Sequence, residues 1–222
     1  MTLEQVLERI PPLDAEAMAQ AKQHWDALAK PLHGLGDLED ILIRIAGICR
    51  TPRIDLRNKA VVVMCADNGV VAEGISQSGQ DVTQIITENL GKGTSTVCHM
   101  ARAAGADVIP VDIGVASDIH SSGVVHRKIA RGTHNFAKQP AMSRDQAVQA
   151  IGVGIETALL CRQHGYDVVA TGEMGIGNTT STAAVTAALL HAPAELVTGR
   201  GSGLTSEGLV RKIQVVTRAL EQ

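Results

Sequence analysis

Aromatic residues are nearly absent: Trp25, Phe136 and Tyr166 are the only three in 222 positions. Base stacking is therefore excluded as a general binding mode, and the core has to be packed from Val, Ile, Leu and Ala. No basic run stands out and the net charge is -3, which argues against a surface built to grip nucleic acid. No apolar stretch approaches the length needed to span a bilayer. The amphipathic start, Met1-Thr-Leu-Glu-Gln-Val-Leu-Glu-Arg-Ile10, carries acid groups and does not read as a secretory signal, so a cytoplasmic location is expected. Cysteine pairs of the CxxC type are missing too. Cys49, Cys65, Cys98 and Cys161 are widely spaced in apolar segments and are expected as buried free thiols. The histidines show no HxxxH spacing, and neither glycine-rich loop reads GxGxxG or contains GK[ST], which leaves no support for a metal or a common dinucleotide fold.

What the chain does have is concentrated in Val168-Val-Ala-Thr-Gly-Glu-Met-Gly-Ile-Gly-Asn-Thr-Thr-Ser-Thr182. A β-branched apolar run enters a turn holding Gly172, Gly175 and Gly177, and Asn178, Thr179 and Thr180 then open an alanine-rich helical segment. Glycines let the backbone approach a ligand closely, and unpaired N–H groups at a helix start favour an anion, so phosphate binding is the natural chemistry. Glu173 is out of place in such a loop, because a carboxylate repels phosphate; it suits work on a hydroxyl, a cation or a proton. A tight strand-to-helix turn with a solvated glutamate is the plainer reading.

Around this stretch the pattern predicts an N-terminal helical layer over 1–50 and an α/β domain over 51–222. Helices are expected over 3–10, stopped by Pro11-Pro12, over 14–29 with Asp14 as cap, and from about Leu38 at helical spacing. Ala60–Ala66 reads as a strand buried on both faces of a parallel sheet. The loop after it, Asp67–Gly79, lies where α/β proteins bind ligands, and Asp67 and Ser78 are its candidate contacts. A helix over 81–104, broken near Gly91–Gly93, leads to a strand at 107–113 in which Pro110 suggests an edge or bulge. The His- and Arg-bearing stretch 114–140 reads as a surface meander or a ligand cover. Ser143 and Gln146 form a capping-box pair, and the helix they open runs to about His164. A second glycine-rich turn, Val197–Leu204, offers Gly199, Arg200 and Gly201 as phosphate contacts, with a flexible connection as the even alternative. Three strands with a final amphipathic helix and no closing strand suggest the front part of something longer.

Five segments then go beyond pattern: Cys65-Ala-Asp-Asn-Gly-Val-Val-Ala-Glu-Gly74, Val111-Asp-Ile-Gly-Val115, Pro140-Ala-Met-Ser143, Thr171-Gly-Glu-Met-Gly-Ile-Gly-Asn-Thr-Thr180 and Gly199-Arg-Gly-Ser-Gly-Leu204. In this order they resemble the nicotinate-nucleotide:dimethylbenzimidazole phosphoribosyltransferase family, and the likeness runs from Asp14 to Lys212. It implies a Rossmann-like parallel sheet and transfer of the phosphoribosyl group of nicotinate mononucleotide to a benzimidazole-type base in cobalamin synthesis. It also implies no metal or cofactor, and a homodimer. On this resemblance the two glycine loops and Lys212 hold phosphate, Glu173 faces the ribose or base, and the principal general base lies past the end of this chain. A non-catalytic binding module of the same origin, needing a partner chain, is the alternative. The family usually has Asp-His-Gly where this chain has Asp67-Asn68-Gly69, and Pro-Gly-Ser-Leu-Gly where it has Leu32-His33-Gly34-Leu35-Gly36, both in segments expected near the base pocket.

Overall fold

The computed structural model describes residues 3–221 and divides into two compact units, one ending at Arg57 and one starting at Asn58. The first unit holds α1 (Leu3–Leu7), α2 (Ala15–Ala27) and α3 (Asp37–Cys49). Asp14 caps α2 by accepting the Ala17 N–H at 2.9 Å, as its position before an alanine-rich run leads one to expect. Helix α1 stops at Leu7, three residues earlier than the Pro11-Pro12 pair suggests, since a helix this short has little to hold its last turn. Buried Glu39 joins α3 to the loop before it, accepting from Lys30 at 2.8 Å and from the Leu35 N–H at 3.0 Å.

The second unit is a four-stranded parallel sheet in the order β3-β2-β1-β4, flanked by helices. Its strands are β1 (Lys59–Ala66), β2 (Ala106–Gly114), β3 (Val125–His126) and β4 (Val168–Met174). The sequence pattern missed β3, because two residues carry no period. Its short reach also accounts for Pro110: β3 pairs only with Val111 and Asp112, so at the proline β2 is locally an edge and no ladder bond is lost on that side. Along β1 the side chains alternate between two cores. Val63 and Cys65 pack with Leu90, Cys98 and Val115, beside α4 (Asp81–Gly91) and α5 (Thr96–Ala103). Val62 packs with Val111 and Cys161, the latter from α6 (Arg144–Gln163), which starts with the expected Ser143–Gln146 capping box. The expected break in the 81–104 helix is the gap between α4 and α5. Three cysteines are buried; Cys49 is exposed, against expectation, because it ends α3 on the solvent side.

After β4 come α7 (Asn178–Leu190), α8 (Ala194–Val197) and α9 (Ser206–Leu220). They pack through Ala183, Ala187, Ala194 and Val216. Small alanines let α7 and α9 approach closely, which brings the loop at the start of α7 next to the side of α9 that carries Lys212.

Candidate active site

At the carboxyl end of β4 a cavity of about 230 Å³ opens between three segments: Ile75–Ser76, Met174–Thr179 and Arg200–Ser202, with Leu204 and Lys212 completing its wall. The first segment follows a single 3₁₀ turn at Gly69–Glu73 after β1. Within the second segment Gly177 takes a left-handed conformation at φ 89°, and α7 starts on it with no side-chain cap, leaving that helix's positive end facing the cavity. The N–H groups of Gly177, Gly201 and Ser202 have no hydrogen-bond partner among the described residues.

Lys212 is the most telling group. It lies on the inward face of α9 with Gly208, Val215 and Val216, only 1% exposed, yet it forms no ion pair among the described residues. Its Nζ donates to Thr179 Oγ1 at 2.7 Å and to the Gly199 carbonyl at 3.0 Å. An ammonium has three protons to give, so one remains. Burial holds its pKa below the ordinary lysine value, and no carboxylate opposes that shift. A buried cation without a counter-ion is costly unless an anion completes it.

Glu173 is exposed at the end of β4 and accepts a hydrogen bond from Asn178 Nδ2, while Asn178 Oδ1 accepts the Thr179 N–H at 2.7 Å. Glu173 lines a second cavity, of about 370 Å³, with Val63, Ile86, Leu90 and Val97 as apolar walls and Asn89, Ser95 and Thr96 as polar ones. Met174 belongs to both cavities. The first space carries the cations Arg200 and Lys212, the second has no cation and mixes apolar with polar residues, and the Glu173–Asn178 pair stands beside their shared wall.

Of the residues expected from sequence, Gly175, Gly177, Asn178, Thr179, Arg200, Gly201 and Lys212 meet in the first cavity and Glu173 borders the second. Arg200 spends its guanidinium on its own loop, donating to the Leu204 carbonyl at 2.8 Å and to Ser206 Oγ at 3.1 Å. Gly199 contributes its carbonyl to Lys212 and lines neither cavity. Gly172 lies within β4, pressed on Val62 and Val63, where its small size serves the sheet. Ser78 is displaced from the wall by Ser76, whose Oγ accepts the Ser78 N–H at 3.2 Å. Asp67 lines neither cavity. It is buried and ties the end of β1 to the loop after β2, accepting the Ala116 N–H at 2.8 Å. Asn68, expected near the base pocket, touches the first glycine loop instead. Ser76 and Thr83 escaped the sequence reading. The first differs from Ser78 by one strand-like step, and the second is one buried threonine in a helix, with no signal to mark it.

The stretch 114–140, read either as a meander or as a ligand cover, is held down by Lys128. Its Nζ donates to the carbonyls of Val115 and Ser117, each at 2.6 Å, and sits 3.3 Å from buried Asp112. Its residues line neither of the two cavities above, but 129–134 wall a separate, largely apolar one of about 260 Å³ with Ala66, Ile113 and Met142, so both readings stay open.

A cationic cavity on glycine loops thus lies at the end of a parallel strand, with a second cavity beside it. The chain belongs to the phosphoribosyltransferase family, whose profile matches residues 10–222. Among its relatives is a nicotinate-nucleotide–dimethylbenzimidazole phosphoribosyltransferase of Alkaliphilus metalliredigens (strain QYMF), 44% identical over 99% of this chain and 63% of that protein. Another of the same name, from Chloroflexus aggregans (strain MD-66 / DSM 9485), is 48% identical over 98% of this chain and 62% of the relative. The crystal structure of CobT from Thermus thermophilus superposes with a TM-score of 0.88 at 43% identity, covering 93% of this chain and 62% of that one. The family expected from the five motifs is the one found. The chain spans less than two thirds of the length of these relatives.

Proposed function

We propose that this chain carries the nucleotide-binding part of a transferase that moves the phosphoribosyl group of nicotinate mononucleotide to 5,6-dimethylbenzimidazole or a related base. The products are α-ribazole 5'-phosphate and nicotinate, for the nucleotide loop of cobalamin. The observation that carries this reading is Lys212: a buried ammonium with a proton to spare, next to three N–H groups unpartnered among the described residues, in a cavity of about 230 Å³ with room for a phosphate. The phosphate enters there, and the ribose spans the wall at Met174, beside Glu173 and Asn178. The base occupies the second cavity, where Val63, Ile86 and Leu90 offer apolar contacts to a flat ring.

The chemistry needs little from the protein beyond orientation. An imidazole nitrogen of the base attacks C1′ of the ribose, and the bond to the pyridinium nitrogen of nicotinate breaks, its electron pair neutralising the ring. The attacking base then gives up the proton on its other nitrogen. Holding both rings in line with C1′ supplies most of the rate. Glu173 is in place to orient the ribose or base, and a carboxylate must take the proton.

Calorimetry with nicotinate mononucleotide tests the binding half. Wild type binds, and Lys212→Ala loses about tenfold or more in affinity, the value of a charge-assisted contact. Equal affinities would return Lys212 to a structural role. A turnover assay with both substrates tests the rest, and binding without turnover selects the alternative of a module that needs a partner chain. Association into a homodimer belongs to the same reading; the outer edge of β4, unpaired among the described residues, supports it, and sedimentation at several concentrations checks it. A cytoplasmic setting is also proposed, consistent with the buried free thiols of Cys65, Cys98 and Cys161. No helix among the described residues is long and apolar enough to cross a membrane.

A further inference from the structure

The first glycine loop is held by side chains that never reach the cavity. Asn68 Nδ2 donates to the Ile176 carbonyl at 3.2 Å, and Asn68 Oδ1 accepts from Ser181 Oγ at 2.7 Å. A carbonyl can only accept, so the amide nitrogen must face Ile176, and the Ser181 hydroxyl on the first turns of α7 locks that orientation. On the other side, the Ile176 N–H donates to Oγ1 of the fully buried Thr83 at 3.0 Å. Both polar groups of one loop residue are therefore fixed from outside the loop.

The peptide between Ile176 and Gly177 is planar and trans, so its C=O and its N–H point in opposite directions. Pulling the Ile176 carbonyl toward Asn68 turns the Gly177 N–H away from Asn68. Gly177 lines the cavity, and its N–H has no partner among the described residues. Space closes the alternatives. A Cβ on Gly175 would lie 2.9 Å from Asn68 Nδ2, and one on Gly177 3.1 Å from Asn68 Cβ, so the loop is pressed against this side chain on both sides of Ile176.

We propose that Asn68 is a positioning residue which, through the Ile176 carbonyl, aims the Gly177 N–H at the phosphate. This rests on the reading of the cavity as a phosphate site. It also gives the Asp67-Asn68-Gly69 segment a task in nucleotide binding, where its place in the motif suggested the base.

The test is titration of the full chain with inorganic phosphate, followed by the amide resonances of Gly177, Gly201 and Ser202 and by calorimetry. In wild type all three amides shift. Asn68→Asp keeps the size and the acceptor for Ser181 but turns the donor toward Ile176 into a second acceptor. In that variant the Gly177 shift is lost, Gly201 and Ser202 still respond, and affinity falls about tenfold, the loss expected when one hydrogen bond to a charged group is misaimed. Ser181→Ala leaves the cavity wall untouched and only frees the amide; it weakens phosphate by about threefold, in line with one neutral hydrogen bond, and decides the matter should the aspartate variant fold poorly. A full Gly177 response with wild-type affinity in both variants, or in Ser181→Ala alone when Asn68→Asp does not fold, overturns the role of Asn68. A wild-type chain in which none of the three amides responds removes the phosphate site itself, and the proposal with it.

Discussion

The two glycine-rich loops that face each other across the cavity use glycine for different reasons. In the first, the limit is mainly space: a Cβ on Gly175 would sit 2.0 Å from the Ala66 carbonyl oxygen, and one on Gly177, which also needs its positive φ, would sit 2.8 Å from Val71 Cγ2. In the second, Gly199 and Gly203 have nothing within 4 Å and the demand falls mainly on backbone angle, with φ at 60° for Gly201 and 113° for Gly203; only Gly201 is also crowded, a Cβ there lying 2.9 Å from Thr179 Oγ1. The first loop is braced by Asn68 and Thr83 from separate segments, the second mostly by its own Arg200. One wall of the cavity is thus braced by two distant segments, while the other is held by Arg200 within the loop and by single contacts from Lys212 and Gln77. For the proposed phosphate site we expect the more braced wall to set direction and the less braced, adaptable wall, backed by Lys212, to adjust to the charge.

The comparison breaks most sharply on alanine substitution. Gly175→Ala drives a methyl into backbone that cannot yield, and we expect a loss of about 3 kcal/mol or more in denaturant unfolding. Gly199→Ala meets open space and has an ordinary backbone, so its midpoint stays within about 0.5 kcal/mol of wild type. Similar losses at both positions would mean that the second loop is as tightly built as the first.

The same contrast marks what could be read in advance. Strand β4, the glycine loop and helix α7 follow from an apolar run, a glycine cluster and an alanine-rich segment, all of them local signals. The second cavity wall was legible only as an even choice between contact and flexible connection, because loose glycines and ligand-facing glycines look the same in sequence. Asp67, Ser78 and Gly172 were expected in the site by their neighbourhood, yet each side chain or backbone turns elsewhere: Asp67 to Ala116, Ser78 to Ser76, Gly172 into the sheet. The brace formed by Asn68 and Thr83 joins residues about a hundred positions from the loop they hold, and no local pattern encodes a contact of that range. Strand β3 was too short to show a period.

The next largest effect sets binding against stability at the adaptable wall. Lys212→Met removes a buried cation that has no counter-ion and fills its space with an apolar chain of similar length. Phosphate affinity falls about tenfold or more, while unfolding free energy rises by about 1 kcal/mol, since the desolvated charge is gone. Loss of both together would show that the ammonium stabilises the fold through Thr179 and Gly199 alone.

pH sharpens this further. Burial lowers the Lys212 pKa in the empty protein, and a bound phosphate supplies the charge that raises it again. The bound form therefore holds the proton more tightly, so affinity is full below the lowered pKa and declines as pH rises through it, at a pH short of the ordinary 10.5. The sign for stability is opposite: the penalty for burying the cation is present at neutral pH and is relieved as pH climbs toward the unfolded value. Phosphate titrations carried from neutral pH up toward 10.5 should lose affinity before that value is reached, and Lys212→Arg, which stays charged, should flatten the profile. A flat wild-type profile would place the lysine's titration outside the binding event.

The smallest effect concerns what holds the adaptable wall to the rigid side. Gln77 Nε2 donates to the Gly203 carbonyl at 2.5 Å, an exposed link between the segment after β1 and the second glycine loop. Being exposed, it competes with water, and its removal is expected to weaken phosphate by no more than about threefold. Its clearer readout is local. With Gln77→Ala the loop keeps only Arg200 and the Lys212 contact to Gly199, so limited proteolysis or hydrogen exchange at 200–204 should speed up, while the amides of 175–178 stay as protected as in wild type. Faster exchange in both loops would mean that the two walls open as one unit, and the distinction between a more braced and a less braced wall would fall.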